Sequence, residues 1–500
     1  MKKIFLLILF LLCIDFVILN SVDVESRNKL ETRKLMSNGP VRISGRDLLT
    51  DFDNDGVYDE FKIKGVGYNA VPIGQNPDWG YILFNDPQIV NMANRDFSFL
   101  RDMNANTIRT WSKANNIGFL NAAYNNNNKP IRIIMGYWID PTYSPIYPGQ
   151  NVNYNDNATR QYYINDFRNY VASYKNHPSV LMWVLGNENN LFYQGNIADF
   201  YSLCDEMAQA AYIEEGDDYH PVAIINGNLF NIGNSNVHAD DVSLSYVDVW
   251  GTNVFPGYSF LDQNYFNQYS PLSSKPLYIS EFGIDAWHTN DMQNPGNGYL
   301  DEETQTDWDL HSWQELSDCS VCIGGTFMEY SDEWWKANYP LVHDYGGYST
   351  LSWDPIAQPD SFSNEEFWGI ISIEDNGSGL DIMHPRLVYY SLQEEFYENY
   401  APFLNPIGNK TGKEAYLLRF NISAYDYNLD HLTFGALNLP FGAQFIDNND
   451  NTATFSWAPL WNQAGSYIIR FEVSDGILVD YENVTITVLN NPMAPIPMMY

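Results

Sequence analysis

Between residues 61 and 330, eight short apolar segments recur along the 500-residue chain, and they limit its fold more than any other feature. Each has the length of a strand, is rich in β-branched or aromatic residues and is bounded by turn-forming residues. Helical patterns such as NMANRDFSFLRDM separate most of them. The eight segments are 61–69, 107–112, 131–138, 180–188, 221–226, 247–253, 276–283 and 322–330. Eight strand–helix units in one run predict an α/β fold of the (β/α)8 TIM-barrel type, with strands buried on both faces.

A doubly wound open sheet is the alternative fold for alternating strands and helices. It would need fewer strands, and it usually carries a glycine-rich phosphate loop after the first strand. The sequence contains no such loop. The barrel therefore remains the preferred prediction.

The barrel segment, including an N-terminal hairpin, is placed at 41–400. The pattern of apolar and polar residues changes after it. Residues 405–490 contain short alternating strands separated by turns, a pattern typical of an antiparallel β-sandwich. The stretch NLPFGAQFIDNNDNTATFSWAPLWNQAGSYIIRFEVSDG resembles cadherin-like immunoglobulin modules. Such a resemblance implies a role in spacing or attachment. Residues 491–500 form a tail.

The N-terminal residues 1–21 carry two lysines and then an apolar run, as in a secretory signal peptide. Asp15 interrupts the run, which disfavours a membrane-spanning helix, although an uncleaved anchor is the alternative. Residues 22–40 are polar and predict a loose leader. The protein is therefore expected to be secreted, extracellular or at the cell surface.

The charge of the chain excludes several classes of partner. Its formal net charge is −36 and its pI is about 4.3, so phosphate backbones and anionic membrane surfaces would be repelled. Neutral sugars are compatible with this charge. We expect no nucleic-acid partner, no membrane contact beyond the signal segment and a monomeric protein.

Two glutamates end predicted strands and are the candidate catalytic groups. Glu188 follows the fourth strand in VLMWVLGNENN, and Glu281 ends the seventh strand in ISEFG. In a TIM barrel the carboxyl ends of all strands meet at one mouth. Cleavage of a glycosidic bond needs two carboxyl groups that face each other across the substrate. One protonates the leaving oxygen, and the other attacks the sugar or activates water.

Here the chain resembles a known clan. WVLGNENN together with YISEFG is similar to the retaining (β/α)8 glycoside hydrolases, and GVGYNAVPIG, LRDMNANTIRTW, GGTFMEYSDEWWK and FWGIISIEDNG resemble family 2-type barrels and β-1,3-glucanosyltransferases. The resemblance implies that Glu188 is the acid/base and Glu281 the nucleophile. It also implies that Asn187 binds the sugar 2-hydroxyl and that Arg109 lies beside the nucleophile.

One position departs from the clan. Its members usually have a tyrosine at the end of the sixth strand that donates a hydrogen bond to the nucleophile. In this chain GTNVFPGY places Phe255 there, with Tyr258 three residues further on. This departure bears on the orientation of the nucleophile and on the rate.

Further side chains near the predicted strand ends are candidates for sugar binding, because aromatic rings stack on sugar faces and polar groups bond to hydroxyls. Packing at the barrel rim is the alternative for the aromatic ones. The candidates are Tyr137, Trp138, Asn253, Trp287, Glu329, Trp334 and Trp335.

The acidic stretch DFDNDGVYDEF has partial calcium-loop spacing. Its candidate ligands are Asp51, Asp53, Asp55 and Asp59, but the twelfth position is Lys62 instead of glutamate. An acidic hairpin turn is the alternative interpretation. We expect no cofactor for catalysis and, at this loop, structural calcium as one possibility.

Together these features predict a retaining glycoside hydrolase that cleaves O-glycosidic bonds of a neutral β-glucan-like polysaccharide through two glutamates. A β-1,3-glucanosyltransferase is the first alternative, since hydrolysis and transfer share one covalent intermediate. A non-catalytic carbohydrate-binding or adhesion protein is the alternative of another class.

Overall fold

The computed structural model describes residues 39–492, except 53, 292–293, 337–338, 345–355, 398, 400 and 427–429. The predicted signal peptide, the leader as far as residue 38, Asp53 and the tail from residue 493 lie outside the described residues. The chain divides into two compact units, with the boundary between Phe396 and Tyr397.

The first described element is a three-stranded antiparallel sheet. Its strands are β1 (Val41–Ser44), β2 (Asp47–Thr50) and β3 (Asp59–Glu60). The acidic stretch DFDNDGVYDEF follows β2 and includes β3, in which Glu60 pairs with Leu49 of β2.

The barrel follows and confirms the predicted fold. Its strands are β4 (Ile63–Gly67), β5 (Thr107–Arg109), β6 (Arg132–Tyr137), β7 (Val180–Leu185), β8 (Val222–Gly227), β9 (Val249–Asn253), β10 (Leu277–Phe282) and, after the short hairpin β11 (Trp287–His288) and β12 (Tyr299–Leu300), β13 (Cys322–Phe327). They close in sequence order, and β13 pairs in parallel with β4. The closed order rules out the doubly wound sheet.

The barrel strands form because both of their faces are covered. Every residue in all eight is buried, as expected for apolar strands between a packed barrel interior and an outer helical layer. Close strand contact also requires a small residue at Gly136, where a Cβ atom would lie 1.9 Å from the carbonyl oxygen of Thr110.

Helices connect most of the barrel strands. They are α1 (Ile89–Asp102), α2 (Ile117–Tyr124), α3 (Asn157–Tyr174), α4 (Asn189–Phe192), α5 (Ile197–Glu215), α6 (Tyr265–Tyr269), α7 (Glu302–Ser317) and α8 (Leu387–Glu395). Short 3-10 helices cover Pro77–Trp79, Leu83–Asn85, Asn125–Asn127, Ser235–Val237, Pro295–Asn297 and Glu365–Phe367. A further hairpin, β14 (Ile371–Glu374) and β15 (Ile382–Pro385), precedes α8. None of the helices in the described part of the chain has both the length and the apolar character needed to span a bilayer.

The second unit contains two four-stranded sheets around its own apolar core, consistent with the predicted β-sandwich. The strands are β16 (Phe403–Leu404), β17 (Lys410–Lys413), β18 (Leu418–Tyr425), β19 (Thr433–Leu437), β20 (Gln444–Asp447), β21 (Thr452–Trp457), β22 (Gly465–Ser474) and β23 (Val479–Leu489). One sheet has the order β16–β18–β21–β20 and the other β17–β23–β22–β19. The pairing differs from the expectation at one place, because β17 runs parallel to β23. Phe455, Trp457 and Phe471 lie in the core.

Candidate active site

A cavity of about 890 Å3 opens at the carboxyl ends of the barrel strands. Each of the eight strands contributes a lining residue at or just beyond its C-terminal end. In strand order these residues are Tyr68, Trp111, Trp138, Glu188, Gly227, Asn253, Glu281 and Glu329. Both candidate catalytic glutamates therefore line one cavity.

Glu281, near the end of β10, is held through one carboxylate oxygen. Its Oε1 accepts a hydrogen bond of 2.7 Å from Nη1 of Arg109 and another of 2.7 Å from Nε1 of Trp111. The side chain is 8 % exposed, so little solvent competes for these bonds. Charge-assisted bonds of this kind are the strong ones, and they fix the orientation of the carboxylate.

Arg109 links the two halves of the site. It ends β5 and is fully buried, and its Nη1 also donates to the carbonyl oxygen of Ser280 at 3.0 Å. Its Nη2 donates to Oδ1 of Asn187 at 2.6 Å. A buried guanidinium needs such partners because an unpaired charge in the interior is costly.

The amide of Asn187 is oriented by two donors. Its Oδ1 accepts from Arg109 and, at 3.1 Å, from Nδ2 of Asn253. Oδ1 of Asn253 in turn accepts from Oγ of Ser280 at 2.7 Å. Because both bonds reach Oδ1 of Asn187, its Nδ2 group is left as a donor for a ligand in the cavity.

The turn after β7 explains the cluster of asparagines around Glu188. Gly186 has φ of 66° and Glu188 has φ of 53°, so the chain enters the left-handed region twice within three residues. The buried Asn189 holds this turn, since its Oδ1 accepts from the backbone N–H of Asn187 and its Nδ2 donates to the carbonyl oxygen of Ile139. The asparagines thus set the position of the glutamate.

Asn190 ties the same turn to the neighbouring strand. Its Nδ2 donates to the carbonyl oxygen of Gly227 at 3.0 Å, and its Oδ1 accepts from the N–H of Gly227 at 2.8 Å. The backbone N–H of Glu188 also donates to the carbonyl oxygen of Ile225 at 3.1 Å. Glu188 is therefore attached to β8 as well as to β7.

The environment of Glu188 favours its protonated form. Burial, followed by the charge of Glu281, raises the pKa of Glu188 to about 7, although a hydrogen bond with Asn253 and the charge of Arg109 oppose this shift. A carboxyl group with a pKa near neutrality is suited to both donating and accepting a proton. The two glutamates therefore have the environments that distinct roles require.

The predicted sugar-binding residues divide into two groups. Trp138, Asn253, Glu329 and Trp335 line the cavity, as do Asn187 and the catalytic pair. Trp138 has 45 % of its surface exposed, as a platform for a ligand would need.

Three other aromatic candidates lie outside the lining of this cavity because each packs against protein. Tyr137 donates its hydroxyl to Oδ2 of Asp166 at 2.7 Å under α3. Trp287 packs against Phe367 with ring centroids 5.1 Å apart. Trp334 stacks on His343 with centroids 4.8 Å apart.

Trp111 is a site residue that the sequence analysis missed. It bonds to Glu281, whereas Phe255 packs against Trp368 and Tyr258 stacks on His311. The available signal was the position of Trp111 two residues after Arg109, at the same strand end.

The acidic connection between β2 and β3 has the contacts of a tight turn. Oδ1 of Asp51 accepts from the N–H of Asp55, and Oδ2 accepts from the N–H of Gly56. Asp59 lies in β3. Calcium at this stretch stays a prediction, since Asp53 is not described. Within the described residues, a separate group of carboxylates with ligand-like spacing is formed by Asp426, Asp430 and Asp475 in the second unit.

Comparison with known proteins identifies a family for the barrel. The family model described as glycosyl hydrolases family 2, TIM barrel domain, matches residues 88–338. No curated protein sequence matches the chain.

Solved structures with a similar fold include three glycosidases. β-D-glucuronidase of Dictyoglomus thermophilum is 18% identical, with a TM-score of 0.46, over 71% of this chain and 53% of that one. β-Galacturonidase of Eisenbergiella tayi is 18% identical, with a TM-score of 0.46, over 72% and 55%. β-Glucuronidase 3 of Bacteroides uniformis is 14% identical, with a TM-score of 0.47, over 90% and 51%. The chain spans about half the length of these structures.

Proposed function

Because the chain belongs to family 2 of the glycosyl hydrolases through its TIM barrel domain, we propose that it is a retaining glycoside hydrolase. Its proposed substrates are the O-glycosidic bonds of a neutral β-glucan-like polysaccharide. The observation that carries the proposal is the contrast within the pair: Glu281 is bound by a guanidinium and an indole, whereas burial raises the pKa of Glu188 to about 7.

In the first step, Glu188 protonates the glycosidic oxygen while Glu281 attacks the anomeric carbon. The carbon–oxygen bond to the leaving group breaks, and an ester bond to Glu281 forms. Arg109 and Trp111 both bond to Oε1 of Glu281, which leaves Oε2 for the attack. Nδ2 of Asn187 donates to the 2-hydroxyl of the sugar, a contact that strengthens as positive charge develops on the ring.

In the second step, Glu188 is a carboxylate and takes a proton from water. The resulting hydroxide equivalent attacks the anomeric carbon, the ester to Glu281 breaks, and the sugar leaves with its original configuration. The return of the proton restores Glu188 for the next cycle. A pKa near 7 suits this alternation at neutral pH.

Trapping the intermediate tests this proposal. An activated 2-deoxy-2-fluoro β-glycoside slows the second step, so the glycosyl-enzyme accumulates and its mass is measured after proteolysis. We expect the added mass on the peptide that contains Glu281. Attachment elsewhere would contradict the assignment, and an inverted product without an adduct would require a bound water as the nucleophile.

Transfer of the glycosyl group to a second sugar is the other candidate activity. The size of the cavity supports it. Its volume of about 890 Å3 lies toward the upper end of clefts that enclose one drug-sized ligand, roughly 300–1,000 Å3, so an acceptor sugar would fit beside a donor. Incubation with oligosaccharides of defined length distinguishes the two reactions. Hydrolysis yields only shorter chains, whereas transfer also yields longer ones.

We also propose export of the protein and a spacing or attachment role for the second unit. The basic and apolar start of the sequence supports export. N-terminal sequencing of protein recovered from the culture medium would test cleavage of the signal.

A further inference from the structure

One wall of the cavity carries three carboxyl groups and a single ammonium group that do not belong to the catalytic pair. They are Glu329, Glu333, Glu365 and Lys336, and all four line the cavity. We call this set the acidic wall. Behind burial and the charge of Glu281, the charge of Glu365 contributes to raising the pKa of Glu188.

The ammonium group of the acidic wall is already engaged. Nζ of Lys336 lies 2.9 Å from Oε2 of Glu365 and 3.4 Å from Oε2 of Glu333. It also lies 4.9 Å from the centre of the Trp335 ring. Lys336 is the only cationic residue in the described lining of the cavity. A ligand carboxylate would therefore have to compete with two glutamates for this cation.

Glu329 and Glu333 are both buried carboxyl groups. Glu329 is 1 % exposed and Glu333 is 2 % exposed, and Oε1 of Glu333 accepts from Nδ2 of Asn69 at 2.5 Å. Burial and the adjacent Glu333 raise the pKa of Glu329 well above its ordinary value. Burial also raises the pKa of Glu333, but the charge of Lys336 opposes this shift. Three carboxyl groups thus face one ammonium group, so the acidic groups of the wall outnumber its cation.

Unsatisfied polar atoms of the acidic wall and of two tryptophans next to it are positions at which a ligand would bond. Oε1 of Glu329 and the Nε1 atoms of Trp335 and Trp368 are buried and have no hydrogen-bond partner among the described residues, and all three residues line the cavity. Buried polar atoms in native proteins almost always have partners. An acceptor and two donors match the hydroxyl groups of a sugar, each of which both donates and accepts.

We infer that the acidic wall is the specificity-determining subsite of this protein, binding hydroxyl groups of an uncharged sugar ring and rejecting sugars that carry a carboxylate. The inference rests on the proposed function. A carboxylated sugar would meet a wall in which carboxyl groups outnumber the one cation, and that cation already pairs with Glu333 and Glu365. The sugar carboxylate would therefore be desolvated without gaining a strong ion pair.

Paired substrates test this inference. The substrates are aryl β-hexosides and the matching β-uronides in gluco, galacto and manno configurations. Within each pair, the hexoside has a hydroxymethyl group at C6 and the uronide has a carboxylate there. For the best configuration, kcat/KM for the uronide should be lower than for the hexoside by at least ~100-fold, as expected when a charge is buried beside like charges. Equal or faster cleavage of the uronide would overturn the inference and leave the proposed hydrolase function intact.

Binding provides a second measurement that does not depend on turnover. The full-length Glu281→Gln variant, titrated calorimetrically with the same paired glycosides, should bind a hexoside and show weaker or undetectable binding of its uronide. If the variant bound neither member of any pair, the acidic wall would not be a sugar subsite.

Freeing the lysine should change the preference. In Glu333→Gln/Glu365→Gln the ammonium of Lys336 loses both counter-ions, and the uronide-to-hexoside ratio of kcat/KM should rise by at least ~10-fold. Adding Lys336→Met should abolish the rise. Glu365→Gln alone, at a less buried position, should shift the ratio in the same direction if the double variant fails to fold. Glu303→Gln, at an exposed site in α7, removes the same charge and should leave the ratio unchanged; a ratio unaffected in all wall variants would refute the inference.

Discussion

The two glutamates of the cavity lie three strands apart in the barrel and have contrasting surroundings. Glu281 on β10 meets the positive charge of Arg109 and the N–H of Trp111, each at 2.7 Å. Glu188, after β7, is buried near the negative charge of Glu281, and these two effects raise its pKa to about 7. Its hydrogen bond comes from the neutral amide of Asn253, which opposes the shift. Contact with a full cation thus distinguishes the two environments, and this difference would suit one residue type to two chemical roles.

Removal of the nucleophile should have the largest effect. Glu281→Gln keeps the shape of the side chain and an oxygen for Arg109, but a neutral amide does not form the glycosyl-enzyme. We expect kcat/KM to fall by at least ~10⁴-fold, measured with an activated aryl glycoside. Circular dichroism should show an unchanged fold, and Glu303→Gln serves as the matched control. More than about a tenth of the wild-type activity would contradict the role of Glu281.

Removal of the acid/base should produce a selective loss. Glu188→Ala should reduce cleavage of substrates with poor leaving groups by ~10²–10⁴-fold, because these need protonation, and should affect activated aryl glycosides much less in the first step. Azide should partly restore turnover of the aryl glycoside, because a small anion attacks the intermediate without a base.

The rescued product reports the stereochemistry. Two inversions give a β-glycosyl azide, which nuclear magnetic resonance identifies. Equal loss on both classes of substrate without rescue would remove Glu188 from this role, and an α-azide would indicate an inverting enzyme.

Trp111→Phe should weaken the hydrogen bonding that orients the Glu281 carboxylate. It removes one hydrogen bond to a charged group, a contact typically worth about 1.5–3 kcal/mol, so kcat should fall by ~10–100-fold. Trp138→Phe is the matched control, since Trp138 lines the cavity and makes no hydrogen bond to Glu281 among the described residues; it should change KM more than kcat. The same kcat loss in both variants would mean that Trp111 only shapes the cavity.

The smallest expected effect concerns pH. Glu188 must be protonated in the first step, so kcat/KM should fall as pH rises through about 7. Glu365 raises this pKa through its negative charge, and Glu365→Gln should therefore move the falling limb to lower pH, by less than about one unit. Glu303→Gln should leave the limb in place. A limb that moves to higher pH would contradict the electrostatic link.

The sequence determined the fold class and the positions of the two glutamates. Eight apolar segments gave eight barrel strands because an apolar run of this length, repeated between helices, has few other ways to be buried. Glu188 and Glu281 follow from the same pattern, since each stands at the end of such a segment and the carboxyl ends of the strands share one mouth. The asparagines around Glu188 also signalled a turn.

Only the tertiary structure decided which side chains meet. Arg109 and Glu281 are 172 residues apart, and Asn69 and Glu333 are 264 apart, so closure of the barrel brings them together. The same closure turns Trp111 toward the nucleophile and leaves Tyr137 bonded to Asp166 outside the cavity. Local patterns fix where a residue stands along a strand, but the contacts of its side chain depend on neighbours contributed by distant strands and loops, and these are set when the barrel closes.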